Sequence, residues 1–352
     1  MPAVDHGSLL EKLKEKFRVF LVNRFADPRL GFGGDPVLRA VIPDLHWISA
    51  DRAARYPDYH FDGSPLFLTL FEILRRASNL EVYQTGDRLD FWRMGDPGES
   101  PDEIYQKIFG DPDVSMMNMV LADSGATIVR GNHDAPLEDL TDPANTRPDR
   151  YVGAGGRFFL THGNIWDQLE RLPDRLQWGA VLKAEHHHAG TYQVGPFTRD
   201  PEVSIDRQLL LRRATLDRTT PIVLPARTGA VPISTEADVA AVSFAHVPIS
   251  RFDDGRFSGI DDFQKTSGIV DFGGAIRAEA RARGGACRLF LVSHTHWPRI
   301  LVDEHPAGGP LVTMDCGAWI ENSTILGEPA QRSHSIGVQF ADEVRIYQLA
   351  PR

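Results

Sequence analysis

Residues 126–134 read ATIVRGNHD, an apolar run that ends directly in Gly131-Asn132-His133-Asp134. A short apolar run bounded by turn residues predicts a buried strand over 126–130. Glycine permits a tight turn after such a strand, so we expect the asparagine and the histidine to point at one spot. Amide oxygen and imidazole both bind divalent metals. The stretch therefore predicts a strand followed by a metal-binding loop.

Four further apolar runs end in potential metal ligands. They lead into Asp44-Leu45-His46, Gly86-Asp87-Arg88-Leu89-Asp90, His162-Gly163-Asn164 and His294-Thr295-His296. Carboxylate, amide and imidazole groups suit manganese, iron, zinc or nickel. Each motif alone is typical of ordinary surface or core sequence. Together they predict one site, because loops after strand carboxyl ends meet at one edge of an α/β sheet.

The order of the predicted elements indicates an α/β fold. Strands are predicted over 38–43, 80–85, 157–161 and 288–292, and helices over 65–77, 101–121 and 273–283. Apolar runs at 311–314, 336–340 and 344–349 are typical of antiparallel strands. Alternating strands and helices followed by a β-rich end favour an α/β architecture.

Two regions stand apart from this alternation. Residues 8–27 carry apolar side chains at helical spacing, which predicts an amphipathic helix that docks on the protein core or lies on a membrane surface. Residues 164–270 lack the alternation and predict an insertion or cap. We therefore divide the chain into an N-terminal helix and loop over 1–37 and a main domain over 38–352, interrupted by 164–270.

Composition limits the partners. The formal charge of -10 and the pI near 5.7 argue against stable nucleic-acid binding, but they are compatible with a small phosphorylated substrate. Two cysteines, Cys287 and Cys316, do not indicate a disulfide framework. Neither a secretion pattern nor an apolar stretch of about 20 residues occurs, which predicts no membrane span and a cytoplasmic location. The oligomeric state cannot be predicted.

The series of motifs resembles the calcineurin-like metallophosphoesterase superfamily, whose pattern is Asp-x-His, Gly-Asp-x-x-Asp, Gly-Asn-His-Asp/Glu, His and Gly-His-x-His. The match covers roughly residues 38–320 without the insertion. The resemblance implies a four-layer α/β/β/α sandwich of two mixed sheets with a dinuclear metal centre at their edge. Manganese is the first expectation for the two divalent ions, with iron, zinc, nickel and magnesium as alternatives.

The resemblance also implies a role for each matched position. Asp87 would bridge the two ions. The other implied ligands are Asp44, His46 and His296 for one ion, and Asn132, His162 and His294 for the other.

The implied reaction is hydrolysis of a phosphomonoester, phosphodiester or pyrophosphate. In-line attack by a hydroxide that bridges the ions is the implied mechanism. Asp87 and His133 are the implied catalytic residues. His133 would contact the phosphoryl group and protonate or stabilise the leaving oxygen, while Asp90 would orient its neighbours.

Departures from the pattern bear on the substrate. No Arg-Gly follows Asp90, which speaks against a phosphoprotein phosphatase. The Phe91-Trp92 pair and residues 315–323 resemble the branch of bacterial UDP-2,3-diacylglucosamine hydrolases, from which Asn164 and the long insertion depart. Ser293 replaces the glycine of Gly-His-x-His, at little energetic cost if its φ is not positive.

Several alternatives stay open. A non-catalytic binding scaffold would be expected to lack ligands, and a nuclease is disfavoured by the acidic charge. A zinc amidohydrolase would arrange its ligands in a barrel. Arg88 either contacts substrate phosphate or is exposed on the surface, and Trp47 and Trp92 either line the cleft or pack in the core. His186-His187-His188 is read as a solvated run and His246 as a packed histidine, with ligand roles as the alternatives.

Overall fold

The computed structural model describes residues 6–53, 64–77, 79–94, 99–164, 222–226, 229–233, 272–294, 298–319 and 334–352. The strands of this part are β1 (Phe17–Ala26), β2 (Leu38–Ile42), β3 (Leu80–Gln84), β4 (Thr127–Ile128), β5 (Arg150–Gly153), β6 (Phe158–Thr161), β7 (Ile222–Ala226), β8 (Gly229–Ile233), β9 (Leu289–Val292), β10 (Arg299–Glu304), β11 (Pro310–Asp315), β12 (Ser335–Phe340) and β13 (Glu343–Pro351). Its α-helices are α1 (His6–Lys16), α2 (Ala50–Ala53), α3 (Ser64–Leu74), α4 (Phe91–Met94), α5 (Pro101–Phe109), α6 (Pro112–Asp123) and α7 (Phe272–Ala282).

Two mixed sheets form the centre of the fold. The six-stranded sheet has the order β1-β13-β12-β2-β3-β4, in which β2, β3 and β4 are parallel and the other pairs are antiparallel. The five-stranded sheet has the order β10-β11-β9-β6-β5, and β9 runs parallel to both β6 and β11. Strands β7 and β8 form a separate antiparallel pair.

Strand β2 shows why the two sheets stack. All five of its residues are buried, and apolar side chains occupy both faces of the strand; its one charged residue, Arg39, pairs with Asp35 and Glu81. Leu38, Ala40 and Ile42 join a core that includes residues of α1, α3, α5 and α6. Val41, on the opposite face, joins a core that contains Leu160 and residues of the other sheet. The six-stranded sheet is therefore covered by helices on one face and by the second sheet on the other.

The outer face of the second sheet carries the remaining layer. Phe159 of β6 and Phe290 of β9 are fully buried and in ring contact, with centroids 5.6 Å apart. Arg283, which follows α7, stacks 4.4 Å from the centre of the Phe159 ring. Ile276 and Ala280 of α7 are also buried. This arrangement confirms the predicted four-layer α/β/β/α sandwich.

The helix predicted over residues 8–27 is wrong beyond Lys16. Residues 17–26 instead form β1, which pairs antiparallel with β13 from end to end, with one register shift between Leu21 and Asn23. Leu9 and Leu13 are buried as expected of the first half. In the second half, the sequence FRVFLV is rich in aromatic and β-branched residues, and pairing with β13 outweighs the helical spacing.

The single helix predicted over 101–121 is two helices. The break lies at Gly110-Asp111, where the Asp111 carboxylate accepts hydrogen bonds from the backbone of Asp113 and Val114 and caps α6. Pro112 at the first helical position cannot donate to the preceding turn. Asp111-Pro112 thus marks the start of α6, although the helical spacing of apolar residues continues across it.

Little of the predicted insertion falls within the described residues, which include only Asn164, β7 and β8 of it. The division at residues 37, 164 and 270 therefore stays a prediction. Over the described ranges, no helix has both the length and the apolar character needed to cross a bilayer.

Candidate metal centre

The predicted ligands come from both sheets. The loops after β2, β3 and β4 carry ligand residues in the first sheet, and the loops after β6 and β9 carry them in the second. Because the ligand-bearing strands of each sheet are parallel to one another, their carboxyl ends meet at one edge of the sandwich. The side chains brought together there are Asp44, His46, Asp87, Asn132, His162 and His294. His296 lies outside the described residues.

Backbone hydrogen bonds hold the first three loops in register. The Asp87 carbonyl oxygen accepts from the amides of Leu45 and His46, at 3.0 and 2.9 Å. The Phe91 amide donates to the His133 carbonyl oxygen at 3.2 Å. The ligand loops are therefore fixed to one another by protein contacts alone.

Three of the candidate ligands have left-handed backbones. The φ angles are 47° at His46, 47° at Asp87 and 72° at His294. Each such non-glycine residue costs on the order of 1–3 kcal/mol and persists only where its surroundings enforce it. The surrounding hydrogen bonds thus hold these side chains in orientations that a relaxed loop would not keep.

Two glycines allow the loops to approach one another. A Cβ at Gly86, where φ is 101°, would lie 2.7 Å from Cβ of His162. A Cβ at Gly131 would lie 2.1 Å from Oδ1 of Asp87. The φ of Gly131 is not positive, so the turn that follows over residues 132–135 does not need a glycine there for its backbone angles, and Gly131 supplies space for Asp87.

One group of ligand atoms surrounds Nε2 of His162. This nitrogen lies 2.9 Å from Oδ1 of Asn132, 3.0 Å from Nδ1 of His294 and 3.1 Å from Oδ2 of Asp87. A single ring proton cannot satisfy three such neighbours, two of which are oxygens that only accept. Ligands about 2.1 Å from one cation at right angles are about 3.0 Å apart, so this donor set fits a divalent metal.

A second group shares Asp87 with the first. The ligand atoms of Asp44, His46 and Asp87 all lie within 4.8 Å of one another. Nε2 of His46 is 3.7 Å from Oδ2 of Asp87, the same oxygen that faces His162. Oδ1 of Asp87 accepts instead from the His133 amide at 2.8 Å. One carboxylate oxygen therefore faces both groups, as a bridging ligand would.

Asp90 lies between two histidines. Its Oδ2 is 3.3 Å from Nδ1 of His46, and its Oδ1 is 3.2 Å from Nδ1 of His133. A carboxylate that accepts at both oxygens places the proton of each ring on Nδ1. Nε2 of His46 then carries no proton and can bind a metal ion on the side of Asp87. Nε2 of His133 likewise carries no proton, and the His133 side chain is not fully buried.

The buried charges balance one another in the protein without metal. Burial raises the pKa of Asp87, but the nearby His162, His133 and His46 outweigh that effect and hold it well below the usual 3.8. Burial lowers the pKa of His162, but Asp87 and Asp44 hold it well above 6.5. Without a bound metal ion, the ionised Asp87 and the protonated His162 therefore form a buried ion pair. A metal ion that binds His162 replaces its proton.

Sequence reasoning missed the role of Asp134. Its carboxylate accepts from the amides of Gly131 and Arg88, which ties the loops after β3 and β4 together. Burial and the charge of Asp87 raise the pKa of Asp134 to about 6. The acidic end of the Gly-Asn-His-Asp motif was the only indication in the sequence.

Arg88 fits neither of its predicted readings. It is 2% exposed, and its guanidinium donates to Asn118 and lies 5.9 Å from the centre of the Phe109 ring. Burial lowers the pKa of Arg88 to about 10. Trp47 is likewise buried and packs on Phe67, with ring centroids 5.5 Å apart. The side chain of Trp92 and residues 186–188 and 246 lie outside the described part.

No protein-family profile and no curated protein matches the sequence. Solved structures with some likeness include a predicted phosphoesterase from Streptococcus pneumoniae, at 11% identity and a TM-score of 0.30 over 90% of this chain and 98% of that one. Vacuolar Protein Sorting 29 from Cryptosporidium parvum has 12% identity and a TM-score of 0.27 over 90% and 98%. A dimetal phosphatase from Danio rerio has 9% identity and a TM-score of 0.36 over 88% and 96%. Identities of 9–12% and TM-scores of 0.27–0.36 do not indicate a function. A function can be proposed only from the chemistry of the site.

Proposed function

We propose that this chain is a two-metal phosphoester hydrolase of the calcineurin-like metallophosphoesterase type. The observation that carries the proposal is the position of Oδ2 of Asp87, 3.1 Å from Nε2 of His162 and 3.7 Å from Nε2 of His46. That oxygen belongs to both groups of ligand atoms. The motif resemblance adds His296 as a further ligand beside Asp44 and His46.

The chain's own residues have distinct roles in this proposal. Two divalent cations, when bound, would lower the pKa of water to roughly 7 and offset the charge on the phosphoryl oxygens. Asp87 would offset the repulsion between those cations. Asn132, His162 and His294 would hold one cation, for which the donor set of one amide oxygen and two imidazoles is suited to manganese, iron, zinc or nickel.

His133 is the residue proposed to act on the leaving group. Its Nδ1 is held by Asp90, and its side chain is 10% exposed while those of Asp90 and His46 are fully buried. Among these three side chains, His133 is the one that solvent reaches. With the ring proton on Nδ1 fixed by Asp90, Nε2 can carry a second proton and donate it to the departing oxygen.

The proposed substrate class is a small phosphomonoester, phosphodiester or pyrophosphate. A non-catalytic scaffold is the second candidate, but all six described ligand positions retain ligand side chains. A nuclease that acts on long polymers is disfavoured by the net charge of -10. The resemblance of residues 91–92 and 315–323 to one branch is not evidence for the substrate of that branch. A cytoplasmic location stays a prediction.

The test is hydrolysis by purified protein reconstituted with manganese. An aryl phosphate or a bis-aryl phosphate should be cleaved, and exhaustive chelation should abolish the activity. Asp87→Asn should also abolish it, because an amide oxygen carries no charge to offset two cations. Asp123→Asn, at an exposed position at the end of α6, is the matched control and should keep full activity. Full activity in Asp87→Asn or after chelation would contradict the proposal.

The same preparation can narrow the substrate. A parallel screen would compare phosphomonoesters, cyclic nucleotides, dinucleotides and nucleotide sugars at equal concentration. Specificity is expected from residues around the ligand loops, because the ligand set alone is compatible with all of these substrates. Absence of turnover with every class, by protein that binds two metal ions, would favour the scaffold.

A further inference from the structure

Ser293 stands between the two groups of candidate ligands. It is fully buried at the end of β9, directly before His294. Its hydroxyl donates to Oδ1 of Asp44, and Oγ of Ser293 lies 3.2 Å from Nδ1 of His162. Asp44 belongs to one ligand group and His162 to the other. The hydroxyl therefore contacts a candidate ligand of each ion.

The backbone around Ser293 accepts a side chain without strain. Its φ is not among the positive values, although φ is 72° at the next residue, His294. The Ser293 amide donates to the His162 carbonyl oxygen at 3.0 Å, which fixes the loop after β9 to the loop after β6. The replacement of glycine in the Gly-His-x-His pattern thus has little energetic cost, and it adds a hydroxyl.

The Ser293 hydroxyl can accept a hydrogen bond from the ring of His162. If Nε2 of His162 is to bind a cation, the ring proton must lie on Nδ1. Nδ1 has three acceptors within reach, which are the Thr85 carbonyl oxygen at 3.2 Å, Oγ of Ser293 at 3.2 Å and Oδ1 of Asp44 at 3.3 Å. Since Ser293 already donates to Asp44, its oxygen is free to accept from His162. Without it, Asp44 could turn towards His162 and away from its own ion.

We propose that Ser293 is a positioning residue that sets the ring tautomer of His162 and the orientation of Asp44, and so raises the affinity for both cations. This inference rests on the proposed two-metal function. Groups that orient metal ligands typically change metal affinity by about 10- to 100-fold. The expected loss on removal of the hydroxyl lies in that range.

The test is calorimetric titration of the metal-free protein with Mn²⁺. Ser293→Ala and Ser293→Gly each remove the hydroxyl and add no heavy atom, and each variant should bind both ions about 10- to 100-fold more weakly. Ser335→Ala is the matched control, because the Ser335 hydroxyl is buried and donates to the Cys316 carbonyl oxygen. It should leave the affinity unchanged, and the thermal unfolding of all three metal-free variants reports whether they fold.

The outcomes separate this inference from the function on which it rests. Wild-type protein that binds no Mn²⁺ would overturn both. Wild-type binding with a loss of less than about tenfold in both Ser293 variants would overturn this inference alone. If neither variant folds, Ser293→Cys is titrated with Mn²⁺ in their place, because it keeps the shape of the side chain and replaces the hydroxyl with a thiol that is only a weak donor and acceptor. A loss of affinity of about tenfold or more supports the inference, and a smaller loss overturns it.

Discussion

Oδ1 of Asp90 lies 3.2 Å from Nδ1 of His133, and both side chains are buried. The other oxygen of the same carboxylate lies 3.3 Å from Nδ1 of His46. One side chain thus orients a proposed metal ligand and the proposed acid at once. The rings of His46 and His133 also pack edge to face, with centroids 4.5 Å apart.

Asp90→Asn should impair both functions although the shape of the side chain is kept. An amide has one accepting oxygen and one donating nitrogen, so it cannot accept from both Nδ1 atoms. One of the two histidines must then change its tautomer. We expect metal affinity or kcat to fall by about 10- to 100-fold, measured by Mn²⁺ titration and aryl phosphate hydrolysis. Wild-type values for both would contradict the role given to Asp90.

His133→Ala should reduce catalysis and spare metal binding, because His133 is not in the proposed ligand set. The loss in kcat should be about 10²- to 10⁴-fold for an alkyl phosphate, whose leaving oxygen needs a proton. It should be smaller for a nitrophenyl phosphate, whose leaving group is a weak base. Rates for the two substrates and a Mn²⁺ titration provide the measurement. Equal losses for both leaving groups would be evidence against His133 as the acid.

Burial on both faces is what made the central strands predictable. Strand β2 and strand β9 are buried along their whole length, so apolar residues fill β9 and all of β2 except Arg39. The missed strands β1, β5 and β10 lie at sheet edges and have mostly exposed residues. The predicted helix placed Phe20 and Leu21 on a buried face, whereas both side chains are exposed in β1.

The ligand side chains were predictable because their chemistry is local to each motif. Their mutual support was not, because it depends on contacts between distant parts of the chain. The Ser293 hydroxyl reaches Asp44 across 249 positions, and the His133 amide reaches Asp87 across 46. The left-handed backbone of His46 likewise accompanies a hydrogen bond from its amide to the Asp87 carbonyl oxygen, a contact between two distant motifs.

Gly131→Ala should distort the site because the new Cβ would lie 2.1 Å from Oδ1 of Asp87. Relief of the clash requires movement of the shared carboxylate. We expect Mn²⁺ affinity to fall by at least about tenfold and stability to fall by about 1–3 kcal/mol, as for overpacked cores. Gly125→Ala is the comparison: its φ is 68° and its Cβ would meet nothing within 4 Å. That variant should cost about 1–2 kcal/mol of backbone strain and keep its metal affinity.

Metal binding should strengthen as pH rises. The pKa of His162 is raised by Asp87 and Asp44, so its stabilising ion pair is present below pH 6.5 and is lost as pH rises through the raised pKa. The pKa of Asp87 is lowered, so the stability that its ionised form contributes is present above pH 3.8 and is lost as pH falls through the lowered pKa.

Between the lowered pKa of Asp87 and the raised pKa of His162, a metal ion must displace the His162 proton, and Mn²⁺ affinity should rise by up to about tenfold per pH unit. Titrations between about pH 6 and 8, in buffers of different ionisation enthalpy, measure both the affinity and the released proton. A pH-independent affinity without proton release would show that His162 is not a ligand.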